Sequence, residues 1–268
     1  MSNHTVPTDA LTLELQRITS LLALGQLPQA AQALNAAQAR HAGDARIYLL
    51  GMRLAEKAGN ADGARQSAER AVKAAPDWPV ALMALAQLLM QQERHAEALP
   101  LAQRAMGISP DDLDVVRRAV PVALKAGHAQ AATAWLRKLV ALAPYERAFR
   151  DLFAKQLLAN QEAAEAKSVY DALVAEQPWD AMALSGRVQA SLALGDLTTA
   201  ESDAQMLIAQ DPDNAEYRYW LALARGETPD TQPDALVKER FDSFAEHFDV
   251  TLWRHWNTVC RNWWPISC

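Results

Sequence analysis

The sequence predicts an all-α protein built from repeated pairs of antiparallel helices, because three series of residues share a period of 34. A proline recurs at this step, at Pro76, Pro110, Pro144, Pro178 and Pro212. An alanine recurs at Ala30, Ala64, Ala98, Ala132, Ala166 and Ala200. A glycine stands five residues before the alanine at Gly25, Gly59, Gly127 and Gly195, with Glu93 and Gln161 in its place in the third and fifth copies.

Each recurring residue has a mechanical reason within a helix pair. Glycine tolerates the positive φ with which a chain leaves one helix and reverses direction. Alanine carries a single methyl group, so the second helix can lie close to the first. Proline ends the second helix, because it lacks a backbone N–H and disfavours helix in the residue before it. Between these positions the apolar residues follow helical spacing, as at Leu82, Leu85 and Leu89.

The period and its residues resemble the tetratricopeptide repeat (TPR) family, whose unit is a 34-residue helix pair. In that phase a flexible leader over 1–10 is followed by copies over 11–44, 45–78, 79–112, 113–146, 147–180 and 181–214, and by a capping helix over 215–225. The family's aromatic near the start of the first helix is present as Tyr48. Later copies carry Leu82, Val116, Arg150 and Leu184 there. The resemblance implies a right-handed α-solenoid whose inner wall is formed by the first helix of each pair.

The inner wall of such a solenoid is the expected binding surface for a protein or peptide ligand in a concave groove. The polar residues at the inward repeat positions are Arg46, Arg53, Gln87, Arg117, Asp151, Lys155 and Gln189. The aliphatic ones include Leu15, Leu49, Met83 and Leu158. Arginine offers paired donors to carboxylates, and glutamine both donates and accepts, so the wall suits acidic groups and peptide backbone. A solvated helix face explains the same residues, and this alternative stays open.

Composition and charge exclude several other classes of protein. The net charge of -6 and the pI of about 5.5 argue against a nucleic-acid partner, whose phosphates attract clustered cations. The ten glycines form no Gly-x-Gly pair and both cysteines lie in the last nine residues, so we expect no cofactor, no metal and no catalytic residues. No apolar stretch reaches the roughly 18 to 20 residues of a membrane span, and no signal peptide is recognisable. The sequence predicts a cytoplasmic protein that is not itself an enzyme.

The pattern changes after residue 226. Pro229 and Pro233 among polar residues predict a linker over 226–234, and residues 235–252 place their apolar side chains on one helical stripe. This segment resembles the lead-in of a bacterial family in which tetratricopeptide repeats are fused to a class I methyltransferase that uses S-adenosylmethionine. The matching residues are Phe241, Asp242, Phe244, Ala245, Phe248, Asp249 and Leu252. The resemblance implies a second function, in which the repeats recruit the substrate of a methyltransferase whose catalytic domain is missing from this chain.

Residues 253–268 differ in composition from the rest, since they hold four of the eight tryptophans and both cysteines. This break predicts a reading-frame change, because a one-base shift in a GC-rich gene turns tryptophan codons into codons of the leucine or valine type. A genuine tryptophan-rich tail packed on the last repeat stays open as the alternative. If the tail is out of frame, its exposed rings favour self-association. Two functions therefore stand beside each other, a non-catalytic protein-interaction scaffold and the substrate-recruiting region of a methyltransferase.

Overall fold

A computed structural model describes residues 10–227 and Pro233. In this part of the chain the secondary structure consists of thirteen α-helices and no strand. The first seven are α1 (Ala10–Ala23), α2 (Leu27–Arg40), α3 (Ala45–Lys57), α4 (Ala61–Ala74), α5 (Pro79–Gln91), α6 (His95–Ile108) and α7 (Leu113–Lys125). The other six are α8 (Ala129–Leu142), α9 (Arg147–Ala159), α10 (Ala163–Glu176), α11 (Ala181–Leu194), α12 (Leu197–Gln210) and α13 (Ala215–Ala224). The predicted all-α fold is confirmed.

The chain divides into two compact units, Met1–Ala131 (unit 1) and Ala132–Cys268 (unit 2). In unit 1 the second helices α2, α4 and α6 each pack between the first helix of their own pair and the first helix of the next pair. In unit 2 α10 packs against α9 and α11, and α12 packs against α11 and α13. Within each unit these helices thus bury their apolar faces against one another, which is how repeat proteins build a core.

The turn inside each helix pair contains one residue in the left-handed conformation. Gly59 and Gly127 have φ of +71° and +64° there. Glu93 and Gln161, which replace glycine in two copies, adopt the same conformation with φ of +59° and +64°. A side chain in this conformation costs on the order of 1 kcal/mol relative to glycine. The packing of the two helices therefore imposes this turn even where glycine is absent.

The turn between successive pairs is closed by a capping side chain that the sequence pattern did not single out. The capping residues share one repeat position, immediately before a first helix, and they are Asp44, Asp112, Asp180 and Asn214. Each accepts the N–H two residues further on, at 2.9 to 3.0 Å. An N-cap of this kind contributes about 1 kcal/mol to helix stability. Trp78 and Glu146 occupy this position in two copies without a capping bond.

The periodic alanines are fully buried in both units. Their side chains are 0% exposed at Ala30, Ala64, Ala98, Ala132, Ala166 and Ala200. In unit 1 the core centres on α5, because its buried residues cover most of its circumference: Ala81, Leu82, Met83, Ala84, Leu85, Ala86, Leu88 and Leu89. A helix that is apolar on nearly all sides is expected in the middle of a layered core.

The core of unit 2 contains a large aromatic side chain fitted against a glycine. Tyr170 of α10 is 1% exposed, and Gly186 of α11 faces its ring so closely that a Cβ atom there would overlap Cζ, Cε1 and Cε2. Burial raises the pKa of Tyr170 to about 12, with a smaller contribution from the negative charge of Asp151. Gly186 therefore serves close packing rather than a turn.

Unit 2 also contains an ion cluster formed by Arg187, Asp203 and Asp171, in which Asp203 is buried and Asp171 is partly exposed. Arg187 Nε and Nη2 donate to Asp203 at 2.6 and 2.7 Å, and Nη1 donates to Asp171 at 3.2 Å. The side chain of Asp203 is 2% exposed and that of Arg187 is 18% exposed. The hydrogen bond to Asp203 raises the pKa of Arg187, although burial opposes this. The cluster joins α10, α11 and α12. Removal of Arg187 would leave the charge of Asp203 buried without a partner, which is strongly destabilising.

Four of the predicted segments lie almost entirely outside the residues that the structure describes. The leader over 1–10, the linker over 226–234, the amphipathic helix over 235–252 and the tail over 253–268 lie outside the described residues, apart from Ala10, Gly226, Glu227 and Pro233. Ala10 is the first residue of α1. The organisation of these segments stays a prediction. Within residues 10–227, no helix has the length and apolar character needed to cross a membrane.

Candidate functional site

The first helices of unit 1 form one layer. α1 contacts α3, α3 contacts α5, and α5 contacts α7. Among the described residues of unit 1, the second helices α2, α4 and α6 have no comparable contacts with one another. The first helices are therefore more closely spaced than the second helices, so their layer forms the inner side of unit 1. The exposed side chains of α1, α3, α5 and α7 on this side are called the inner face.

Arg46 lies in the first turn of α3, where Asp44 holds its guanidinium group. Nε donates to Asp44 Oδ1 at 3.0 Å and Nη2 donates to Oδ2 at 2.7 Å. This bonding lowers the pKa of Asp44. Arg46 also lines an open depression of about 600 Å³ together with five residues of α1, namely Thr12, Leu15, Gln16, Thr19 and Ser20. Much of the hydrogen-bonding capacity of Arg46 is thus used within the chain.

Three arginines of the first helices, Arg53 on α3 and Arg117 and Arg118 on α7, are together called the cationic cluster. Arg53 on α3 is exposed and has no ion pair with any described residue. On α7, Arg117 Nη2 donates to Asp114 at 2.7 Å, and Arg118 Nη1 lies 3.5 Å from the other oxygen of that carboxylate. Arg118 Nη2 also donates to Gln87 Oε1 on α5 at 3.0 Å. On α7 two guanidinium groups share one carboxylate, so the cluster keeps a surplus of positive charge there. On α3 the exposed carboxylate of Glu56, one turn after Arg53, offsets part of the charge of Arg53.

The electrostatics of this cluster hold the Asp114 carboxylate in the charged form. The hydrogen bond from Arg117 lowers the pKa of Asp114, and the charge of Arg118 adds to the effect. Arg118 itself was not among the predicted wall residues, because the repeat positions select its neighbour Arg117. Its bond to Gln87 joins residues on different helix pairs, which sequence spacing alone does not reveal.

Aliphatic side chains border the cationic cluster. Val80, at the same repeat position as Arg46, is 43% exposed, and Leu49 is half-buried. Met83, which the repeat positions place on the wall, is only 1% exposed, because α5 lies between α3 and α7 in the core. α5 therefore contributes Gln87 and Val80 to the inner face, and the expectation for Met83 was wrong.

In unit 2 the first helices again contact one another, α9 with α11 and α11 with α13. Asp151 of α9 is half-buried, and its Oδ2 lies 3.6 Å from Arg147 Nε. Arg147 also forms an ion pair with Asp180, the cap of α11. These pairs tie the start of α9 to the start of α11. Asp151 therefore has a structural partner and offers less of its charge to a ligand than its repeat position suggests.

Lys155 and Gln189 occupy the same repeat position on α9 and α11, and both are exposed. Neither has a hydrogen bond or ion pair with any residue that the structure describes. The predicted site residues thus fall into two groups, one on each unit. Arg46, Arg53, Gln87 and Arg117 belong to unit 1, and Asp151, Lys155 and Gln189 belong to unit 2.

Across residues 10–227, no group of three or more histidine, cysteine, aspartate or glutamate side chains is placed to hold a metal ion. The inner face of unit 1 instead presents guanidinium and amide groups beside aliphatic side chains. Such a surface can pair with carboxylates and hydrogen-bond a peptide backbone.

The fold and this face define an α-solenoid of helix pairs, a class of protein that uses its layered helices as extended binding surfaces. A family model described as tetratricopeptide repeat matches residues 15–77, 49–112 and 152–215, which together make up more than half of the chain. The chain belongs to the tetratricopeptide repeat family. Proteins of this family generally mediate protein–protein interactions, and this coarse function applies here.

Several solved structures share the fold at low sequence identity. PilF of Pseudomonas aeruginosa is 20% identical, with a TM-score of 0.54 over 80% of this chain and 97% of that one. YrrB, described as a TPR protein with an unusual peptide-binding site, is 18% identical, with a TM-score of 0.59 over 72% of this chain and 96% of that one. MamA is 17% identical, with a TM-score of 0.53 over 65% of this chain and 94% of that one. No curated protein shows a significant match.

Proposed function

We propose that this chain is a non-catalytic scaffold that holds an acidic segment of a partner protein against the inner face of unit 1. The observation that carries the proposal is the surplus of positive charge in the cationic cluster of Arg53, Arg117 and Arg118. Arginine pairs with a carboxylate through two parallel hydrogen bonds, which fixes the geometry as well as the charge. The whole chain carries a net charge of -6, so this attraction is a local property of the face.

The layer of first helices sets the length of the segment that fits. Neighbouring packed helices lie about 8 to 10 Å apart, so Arg53 on α3 and Arg117 on α7 are separated by roughly 16 to 20 Å. An extended chain covers this distance in about five or six residues. The proposed ligand therefore carries carboxylates about six residues apart.

Gln87 lies between the two arginines and is suited to the backbone of the bound segment. Its Oε1 accepts from Arg118, which leaves the two Nε2 hydrogens to donate to a peptide carbonyl. Val80 and Leu49 provide an apolar border for a side chain of the ligand. The description of YrrB as having a peptide-binding site supports the compatibility of this fold with such a ligand.

A charge reversal at Arg53 tests the proposal. The probe is a fluorescein-labelled peptide with two glutamates six residues apart among glycine and serine, and its partner peptide carries glutamines instead. Arg53→Glu should weaken binding of the acidic probe roughly tenfold, about 1.4 kcal/mol. Arg70→Glu, on an exposed position of α4 in the other layer, is the matched control and should change the affinity less than twofold. Equal losses in the two variants, or no preference of the wild type for the acidic peptide, would refute the proposal.

A second candidate function is supported by the sequence motif within residues 241–252. In this case the repeats recruit the substrate of an S-adenosylmethionine-dependent methyltransferase encoded in continuity with them. The motif lies outside the described residues, so it is the whole support for this candidate. Resequencing the gene from codon 245 onward tests it, because a shifted frame that opens a glycine-rich cofactor loop would favour it. An intact frame would leave the scaffold as the remaining function.

Two further parts of the proposal concern the setting in which the scaffold works. We place the protein in the cytoplasm and expect self-association through the aromatic tail over 253–268. Fractionation of cells that produce the full chain tests the location. Sedimentation of the full chain against a variant with the four tail tryptophans changed to serine tests self-association, which the variant should lose.

A further inference from the structure

Two aromatic side chains stand in solvent at one edge of unit 2. Tyr145, in the turn between α8 and α9, is 94% exposed, and Trp179, in the turn between α10 and α11, is 67% exposed. They lie 34 residues apart and each follows a proline, so they occupy equivalent places in consecutive repeats. Neither ring has a hydrogen bond or an aromatic partner among the described residues. Together with their acidic neighbours described below, they form what we call the aromatic edge.

The fold does not require an aromatic residue in these turns. The same repeat position is aspartate in three other copies, at Asp77, Asp111 and Asp213. All five turns close with the same backbone hydrogen bond from the following residue, at 3.1 to 3.3 Å, whether the residue is aspartate or aromatic. A large ring left in water where a small polar residue suffices is typical of an interaction surface, in which tyrosine and tryptophan are enriched.

The exposed charged residues within these turns are acidic. Glu146 follows Tyr145 and is exposed without an ion pair to any described residue. Asp213 is exposed in the next turn along unit 2. Two nearby cations are turned inward, because Arg147 and Arg150 have side chains 26% and 14% exposed and are paired with carboxylates. A third, Arg218, is exposed, and its Nη2 donates to the backbone carbonyl of Asp213 at 2.8 Å. The aromatic edge thus combines accessible ring faces with accessible carboxylates.

We propose that the aromatic edge binds a basic segment of a partner protein, with guanidinium or ammonium groups stacked on Tyr145 and Trp179. A cation over an aromatic ring gains about 0.5 to 1 kcal/mol at an exposed site. Glu146 and Asp213 pair with the same groups. Equivalent positions of neighbouring repeats lie about 10 Å apart, so basic residues about three apart in an extended segment reach both rings. This site is independent of the inner face of unit 1, whose proposed ligand has the opposite charge.

The test uses the full chain and a fluorescein-labelled peptide of Arg-Gly-Ser repeats, with a Glu-Gly-Ser peptide for comparison. The double variant Tyr145→Asp, Trp179→Asp installs the residue that other copies carry at this position, so its helicity by circular dichroism should be unchanged. Binding of the basic peptide should fall about five- to thirtyfold for the loss of two stacked rings, although the variant is two charges more negative. Arg53→Glu, in unit 1, should leave this affinity within twofold of the wild type.

Three outcomes would overturn the proposal. If the double variant binds the basic peptide as well as the wild type or more tightly, general charge attraction explains the binding and the proposal is wrong. If the wild type ignores the peptide but forms a dimer in sedimentation that the double variant loses, a second copy of this chain covers the edge instead. If the wild type neither binds the basic peptide nor dimerises, the proposal is also refuted.

Discussion

The contact between Gly186 and Tyr170 makes one glycine in unit 2 irreplaceable for reasons of space. Gly186 lies inside α11, where alanine would ordinarily stabilise the helix by about 1 kcal/mol. The Cβ atom that alanine adds, however, would overlap three atoms at the end of the Tyr170 ring. Tyr170 is 1% exposed, so the ring has no free space to move into, and overpacking of this kind costs about 3 kcal/mol. Gly186→Ala should therefore destabilise unit 2 by about 2 kcal/mol.

A double-mutant cycle separates this clash from a general sensitivity of α11. Tyr170→Leu alone should cost about 2 kcal/mol for the lost ring. The double variant should be about 3 kcal/mol more stable than the sum of the two single effects, because shortening the side chain removes the clash. Urea unfolding followed by far-ultraviolet circular dichroism measures all four free energies. Gly107→Ala in α6, where a Cβ would meet nothing within 4 Å, is the matched control and should not destabilise. Additive effects, or a stable Gly186→Ala variant, would refute the reasoning.

Changes at three kinds of position, the turn inside a helix pair, the ion cluster and a helix cap, test the account of the fold by the same unfolding measurement. Glu93→Gly should stabilise the chain by about 0.5 to 1 kcal/mol, because φ is positive at this position. Gly59→Ala should destabilise it by about 1 kcal/mol for the same reason. A destabilising Glu93→Gly or a stabilising Gly59→Ala would contradict this cause. Arg187→Leu should cost about 3 to 5 kcal/mol because it leaves Asp203 buried without its partner, and the added change Asp203→Leu should recover most of the loss. Asp44→Ala should cost about 1 kcal/mol at neutral pH. The pKa of Asp44 is lowered in the folded chain, so its contribution to the free energy of unfolding is fully present above the ordinary carboxyl pKa near 4. This contribution is lost as the pH falls through the lowered pKa. A stability difference between the wild type and Asp44→Ala that persists at low pH would contradict this cause.

The fold could be predicted from sequence because each recurring residue acts locally. Proline and glycine restrict the backbone where they stand, and a period of 34 repeats that restriction along the chain. The series even indicated which two turns lack glycine, and Glu93 and Gln161 adopt the left-handed conformation there. The capping residues were also within reach, since Asp44, Asp112 and Asp180 stand directly before first helices at the same repeat position.

The details of the inner face depend on how helices meet, and spacing alone did not reveal them. Arg118 reaches Gln87 across 31 positions, and Arg46 is held by a cap that was not recognised. Met83 is buried because α5 lies inside the core of unit 1. The repeat positions therefore identify the helix and roughly the face. The partners of each charge decide which side chains remain available to a ligand, and on this face Arg53 is the clearest.

The central claim is that an acidic segment binds to the layer of first helices in unit 1. Photo-crosslinking tests it most directly, with the acidic probe peptide carrying a benzophenone group midway between its two glutamates. After irradiation and digestion of the full chain, mass spectrometry should locate the cross-links in α3, α5 and α7, and Arg53→Glu should reduce their yield. Cross-links concentrated in α2, α4 and α6, or in unit 2, would contradict the claim.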